Sequence, residues 1–140
     1  MCSTTSGADS QSAEVTSKID SSVQPVIQPP SGVSATGGGP LYLHIQSHIE
    51  YPPGYRHAWG TALVTSDQAG TQPVQVEFIS LTISMDSPGG GERTVQPRNN
   101  ASSTDADVKY YGAVFGSFHC TFFAVARHPG YGEWSVSSNY

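Results

Sequence analysis

Charge is scarce in this chain of 140 residues: Asp, Glu, Lys and Arg make up 12% of it, about half the share usual for globular domains. The six basic residues are scattered singly, and like charges never form a run. A phosphate backbone needs several Lys or Arg side chains on one face, so the composition argues against nucleic acid as a partner. Long apolar runs are also missing. None approaches the ~18 residues of a membrane-spanning helix, and Met1 is not followed by the basic and then apolar segments of a signal peptide. The sequence therefore predicts no transmembrane segment, and the chain is expected either not to be exported by a signal peptide or to be given without one. Cysteine is limited to Cys2 and Cys120, which excludes a disulfide-rich scaffold. Cys2 stands in a polar stretch and Cys120 in an apolar one, so a bridge between them has little to motivate it.

Aromatic residues are absent from positions 1–40, where Ser, Thr, Gly, Pro and Gln dominate. Such a segment buries too little apolar surface to offset its ordering entropy. It reads as a flexible arm or tether, closed by the "ATGGGP" of Ala35 to Pro40. Residues 41–140 carry every aromatic side chain and read as one domain with a modest core. The formal charge of −5 is shared between the two segments without polarity. The opening "CSTTSGADSQSAEVTS" resembles the start of a mature bacterial lipoprotein, in which an acylated cysteine precedes a Ser-rich tether. That resemblance covers about sixteen residues and implies acylation of Cys2, although Met1 stands where the family carries its lipobox.

From Leu41 the pattern changes. In "LYLHIQSHIEY" the odd positions Leu41, Leu43, Ile45, Ile49 and Tyr51 are apolar or aromatic, and the even ones carry His44, Gln46, His48 and Glu50. This period of two is the signature of a half-buried strand. "PPGYR" breaks it with a Pro-Gly turn, "HAWGTALVTS" (residues 57–66) predicts a second strand, and "DQAGTQP" breaks the chain again. "VQVEFISLTISM" places Val74, Val76 and Phe78 in one phase and Ile79, Leu81, Ile83 and Met85 in the other. The flip predicts a β-bulge at Phe78-Ile79 or a strand that changes sheets there. Residues 86–107 read mostly as loop, with a brief extended piece near Thr94-Val95; a loop of that length is functional, is disordered or hides an edge strand. Gly112 and Gly116 interrupt the next segment. The strand after them places Phe118, Cys120, Phe122, Ala124 and Ala126 on one face and Phe123 and Val125 on the other, which predicts a central strand covered on both sides. "EWSVSSNY" supplies the last strand. The whole predicts an all-β chain: a single antiparallel β-sandwich, immunoglobulin-like or jelly-roll-like, with a flexible N-terminal arm.

Histidines four apart make a zinc half-site on a helix, but on a strand they lie roughly 13 Å apart and cannot share one ion. His44 and His48, with Gln46 and Glu50, are thus expected on a polar strand face toward solvent or a partner. His119 and Cys120 are adjacent on a strand and point to opposite faces, which removes them as a base–nucleophile pair. Gly-x-Ser-x-Gly, His-Glu-x-x-His and Walker loops do not occur. No catalytic residue, metal or cofactor is expected. Asp105 and Asp107 resemble a fragment of a calcium loop but lack the rest of its ligands, so a solvated loop is the expectation. Asn100-Ala101-Ser102 is a glycosylation sequon. Pro52 to Tyr55 matches the Pro-Pro-x-Tyr ligand of WW domains, although its place between two strands favours a turn.

Aromatics cluster at the predicted turns: Tyr51, Tyr55 and Trp59 at one, Tyr131 and Trp134 at another. They are candidates for ligand or partner contact, or caps for the ends of the sandwich. The function expected is a non-catalytic recognition or assembly module at a cell or particle surface, such as a tethered surface protein or a virion or filament subunit. Its partner would be a protein or a second copy of itself. The alternatives are a small carbohydrate-binding protein using Tyr51, Tyr55 and Trp59, and a metal-dependent enzyme built from His44, His48, His57 and Asp105 or Asp107.

Overall fold

A computed structural model of the chain describes residues 10–20, 39–111 and 118–140. Eight strands run through them: β1 (Ser10–Ile19), β2 (Leu41–Glu50), β3 (Arg56–Thr65), β4 (Val76–Ser87), β5 (Gly90–Ala101), β6 (Ser103–Tyr110), β7 (His119–His128) and β8 (Gly132–Asn139). They form two antiparallel four-stranded sheets, ordered β1-β2-β3-β6 and β5-β4-β7-β8, packed face to face as a β-sandwich.

The alternation of Leu41 to Tyr51 is what makes β2 the spine of the first sheet. Leu41, Leu43, Ile45 and Ile49 are buried against the second sheet, where Ile79, Leu81, Ile83 and Met85 of β4 and Cys120, Phe122, Ala124 and Ala126 of β7 face them. Between them β3 turns small residues inward. A Cβ added at Gly60 would sit 2.6 Å from the carbonyl oxygen of Gln46 and 3.2 Å from the ring of Phe122, so the absence of a side chain lets the two sheets close. Ser47 is the one polar residue in the buried row of β2. The Tyr140 hydroxyl donates to its carbonyl (3.1 Å) and lies 2.9 Å from its Oγ, which ties the end of the second sheet to the first.

The phase flip around Phe78 comes from a change of sheet. The Val74 N–H donates to the Val64 carbonyl of β3 (2.9 Å), and two residues later Val76 pairs with Ala101 in the other sheet. The register with β5 is unchanged across the kink, so no residue is inserted; Glu77 and Asn100 are passed over, and Asn100 takes a φ of 54°. Ile79 and the residues after it face inward, while Phe78 turns outward beneath the Arg127 guanidinium, 4.8 Å from its ring centroid.

Three expectations change. Residues 10–19, read as part of an arm, form edge strand β1, paired along its whole length from Ser10 opposite Glu50 to Ile19 opposite Leu41. An edge strand is held chiefly by backbone hydrogen bonds, so it needs little apolar content; only Val15 and Ile19 pack on the core. Second, residues 86–107 are not loop. They supply β5 and most of β6, edge strands of opposite sheets separated by Ser102 alone. β5 is exposed nearly throughout, and Arg93, Arg98 and Pro97 give it the composition of a protected edge. Third, β7 is central but covered on one face only: Phe123 is 41% exposed. Cys2, the remainder of residues 1–40 before Gly39, and the interrupting Gly112 and Gly116 lie outside the described residues.

Candidate functional site

The outer face of the first sheet collects most of the polar side chains that chemistry could use. Pairing aligns them in rows across the strands. Glu50 of β2 lies opposite His57 of β3 and that opposite Lys109 of β6; the next row holds Ser12, His48, Trp59 and Asp107; the next Glu14, Gln46, Thr61 and Asp105; and the next Thr16, His44, Leu63 and Ser103. Residues two apart on a strand share a face, which is why alternate positions of four strands meet here.

His44 does not face solvent as its place in the alternation predicts. It is 3% exposed, because the loop after β3 folds over it. Asp67 shapes that loop: its carboxylate accepts from the Thr71 N–H (3.0 Å), the Thr71 hydroxyl (2.6 Å) and the Gln72 N–H (2.9 Å), while Gly70 turns with a φ of 81° beside the imidazole. These bonds hold the Asp67 carboxyl below the usual carboxylate range, with the Thr71 hydroxyl as the largest cause. The Thr65 hydroxyl donates to the Asp67 carbonyl (2.5 Å), so its oxygen accepts from His44 Nε2 (2.7 Å). His44 Nδ1 then accepts from the Thr16 hydroxyl (2.9 Å), which assigns the tautomer from the network. A chain of four groups thus joins β1, β2, β3 and the loop.

Trp59 sits at the centre of the open part of the face. The His48 ring stacks on it at 5.2 Å and 14°, and the His57 ring lies 4.5 Å away, tilted by 32°. His57 Nε2 is 3.0 Å from Asp107 Oδ2 and its Nδ1 is 3.6 Å from Glu50 Oε1, so each ring nitrogen faces a carboxylate. The Thr61 hydroxyl donates to Asp105 (2.7 Å). Asp105 and Asp107 therefore belong to strand β6 rather than to a solvated or calcium-binding loop. Among the described residues no three His, Cys, Asp or Glu side chains converge as a metal would require, and His44, His48 and His57 each have a different set of partners.

The turn aromatics divide into two groups. Tyr51 packs edge-on to Phe118 and under Arg56, and burial pushes its hydroxyl up. Tyr55 meets Tyr111 at 5.3 Å and Lys109 at 5.9 Å. Gly54, with a φ of 93°, makes Pro52 to Tyr55 a tight turn and not the extended form of a WW ligand; Arg56 braces it by donating to the Tyr55 carbonyl (3.1 Å). Tyr131 and Trp134, by contrast, are buried, with the Tyr131 hydroxyl donating to the Gly39 carbonyl (2.5 Å). They close one end of the sandwich and offer no contact surface of their own.

Cys120 is fully buried, and burial pushes its thiol up to about 12. His119 is exposed on the opposite face of the strand. Sequence reasoning singled out His44, Gln46, His48, Glu50 and Trp59, and grouped His57 with Asp105 or Asp107 for a metal site, but it missed Glu14, Thr61 and the strand pairing that sets His57 against Asp107 directly. One signal was available: Thr104, Ala106, Val108 and Tyr110 alternate inward, which sends Asp105, Asp107 and Lys109 outward. It is faint because Thr and Ala carry little hydrophobic contrast.

Fold and site define the class as far as it goes: a β-sandwich with one polar, aromatic-centred outer face. Compared with known proteins, the chain matches no family model, no curated protein and no solved structure.

Proposed function

We propose that the chain is a non-catalytic recognition or assembly module whose contact surface is the outer face of the β1-β2-β3-β6 sheet. The observation that carries this reading is the spread of His48, Glu50, His57, Trp59, Asp105 and Asp107 in rows over an open sheet face. Catalysis needs reacting groups converging within about 3 Å of a common point in a water-excluding site. A broad open face with an aromatic centre and a polar surround has instead the anatomy of a protein contact, where a Trp anchor supplies much of the binding energy. The partner we favour is a protein, including a second copy of this chain. Display at a cell or particle surface, as a tethered protein or as a virion or filament subunit, belongs to the same proposal and rests on the low charge and Ser/Thr-rich composition.

Sedimentation of the full chain over a range of concentrations tests the assembly form of this reading. Self-association that Trp59→Ala weakens at least tenfold, at unchanged fold, is the expected result; a parent protein that stays monomeric removes that form. A glycan array run on the same two proteins addresses the carbohydrate reading, which retains one supporting observation, Trp59 beside Thr61, Asp105 and Asp107. A Trp59-dependent glycan signal would replace the protein partner with a sugar.

A further inference from the structure

Two depressions on the outer face of the first sheet meet at Thr61. One is a recess of about 110 Å³ between β1, β2, β3 and the Asp67 loop, with Glu14, His44, Gln46 and Thr61 among its lining residues. The other, open and shallow, runs on from Thr61 past Trp59 to Asp105 and Asp107. Together they trace a groove along the cross-strand row Glu14, Gln46, Thr61, Asp105. It spans three strand spacings of roughly 4.8 Å, or about 14 Å. Trp59 forms one wall, and Leu63 and Gly70 line the other side of the recess.

The chemistry of this groove is one-sided. Carboxylates stand at its two ends, an amide and a hydroxyl lie between them, and no Lys or Arg lines either depression. Anionic ligands meet only repulsion there, whereas a cation finds an acceptor at each end. The recess, at about 110 Å³, is far below the roughly 300–1,000 Å³ of pockets that hold ring-bearing ligands, so at the Glu14 end only a slim chain fits. Two imidazoles already stack against Trp59, which narrows the indole surface left for a ring to stack on. A slim methylene chain needs only the indole as an apolar wall. We infer that the groove takes a linear aliphatic oligoamine, with one ammonium at Glu14, another at Asp105 and the chain lying past Thr61. The Thr61 hydroxyl, by donating to Asp105 Oδ1, orients that carboxylate and leaves its second oxygen for the ligand. This inference rests on the reading of the face as a recognition surface and names a ligand for it.

Isothermal titration of the full chain with decane-1,10-diamine and butane-1,4-diamine, which carry equal charge, tests the spanning geometry. The long diamine should bind at one site at least tenfold more tightly than the short one. Glu14→Gln and Asp105→Asn, both at exposed positions, should each cost at least fivefold, and added salt should weaken binding further. Equal affinity for the two diamines, indifference to both substitutions, or no saturable heat would each overturn the inference. Sedimentation of Trp59→Ala separates this outcome from the broader one: if self-association depends on Trp59 while the diamines fail, only the oligoamine is lost.

Discussion

Cys120 shows how far one residue's surroundings decide its chemistry. The thiolate is the reactive form, and with burial pushing the thiol up to about 12 almost none exists at neutral pH. In a Cys2→Ser background, the folded protein should react with a thiol reagent only at the rate of unfolding, and at once in denaturant; fast labelling of the native state would contradict the burial. His128 makes a second case. Its Nδ1 accepts from the Glu77 N–H (3.2 Å), and burial lowers its pKa below the ordinary 6.5. The unfolded chain then takes up a proton before the folded one does. The stability this residue contributes is full above pH 6.5 and is lost as pH falls through the lowered folded value. Asp67 acts in the same direction further down, since its lowered carboxyl contributes stability that is lost on acidification below 3.8. Denaturant unfolding between pH 7 and 5 should show the first loss, and His128→Gln, which keeps an acceptor for the Glu77 N–H, should flatten it.

At the scale of the element, two strands depend on single contacts. Gly60→Ala places a methyl group against the Gln46 carbonyl and the Phe122 ring, a backbone contact that cannot rotate away. A destabilisation of roughly 1–3 kcal/mol is expected, measurable by urea unfolding. Thr16→Val removes the donor to His44 Nδ1 and leaves a buried nitrogen unsatisfied, at a cost of about 1–3 kcal/mol. The same substitution tests whether β1 is held on β2, because an arm free of the sheet would be indifferent to it. Legibility varied by element for a physical reason. β2 and β8 carry apolar alternation, since one of their faces meets the other sheet, and β3 and β7 are legible from their Trp, Thr, Val and Phe content between breaks. β1 and β5 are edges, stabilised by backbone pairing that leaves almost no mark on side-chain pattern. The corner at Ser102 joins two strands of opposite sheets without a Gly or Pro, and the polar run Asn99 to Asp105 that marks it reads as loop from sequence.

For the whole molecule, alternation, turn chemistry and the absence of a helical period were enough to specify an all-β sandwich, because burial of one face is a local demand that every strand must satisfy alone. The same local logic placed Gln46, His48 and Glu50 on one outer face, and Cys120 in the core. What lies next to what was decided only in three dimensions. The row of Glu14, Gln46, Thr61 and Asp105 draws on four strands from widely separated parts of the chain, and register alone brings them level. His44 carries the polar phase of its strand, yet it is buried because a loop more than twenty residues away closes over it with Asp67 as its knot. Periodicity records which side of a strand is turned inward; it holds no information about what another segment lays over the side turned out.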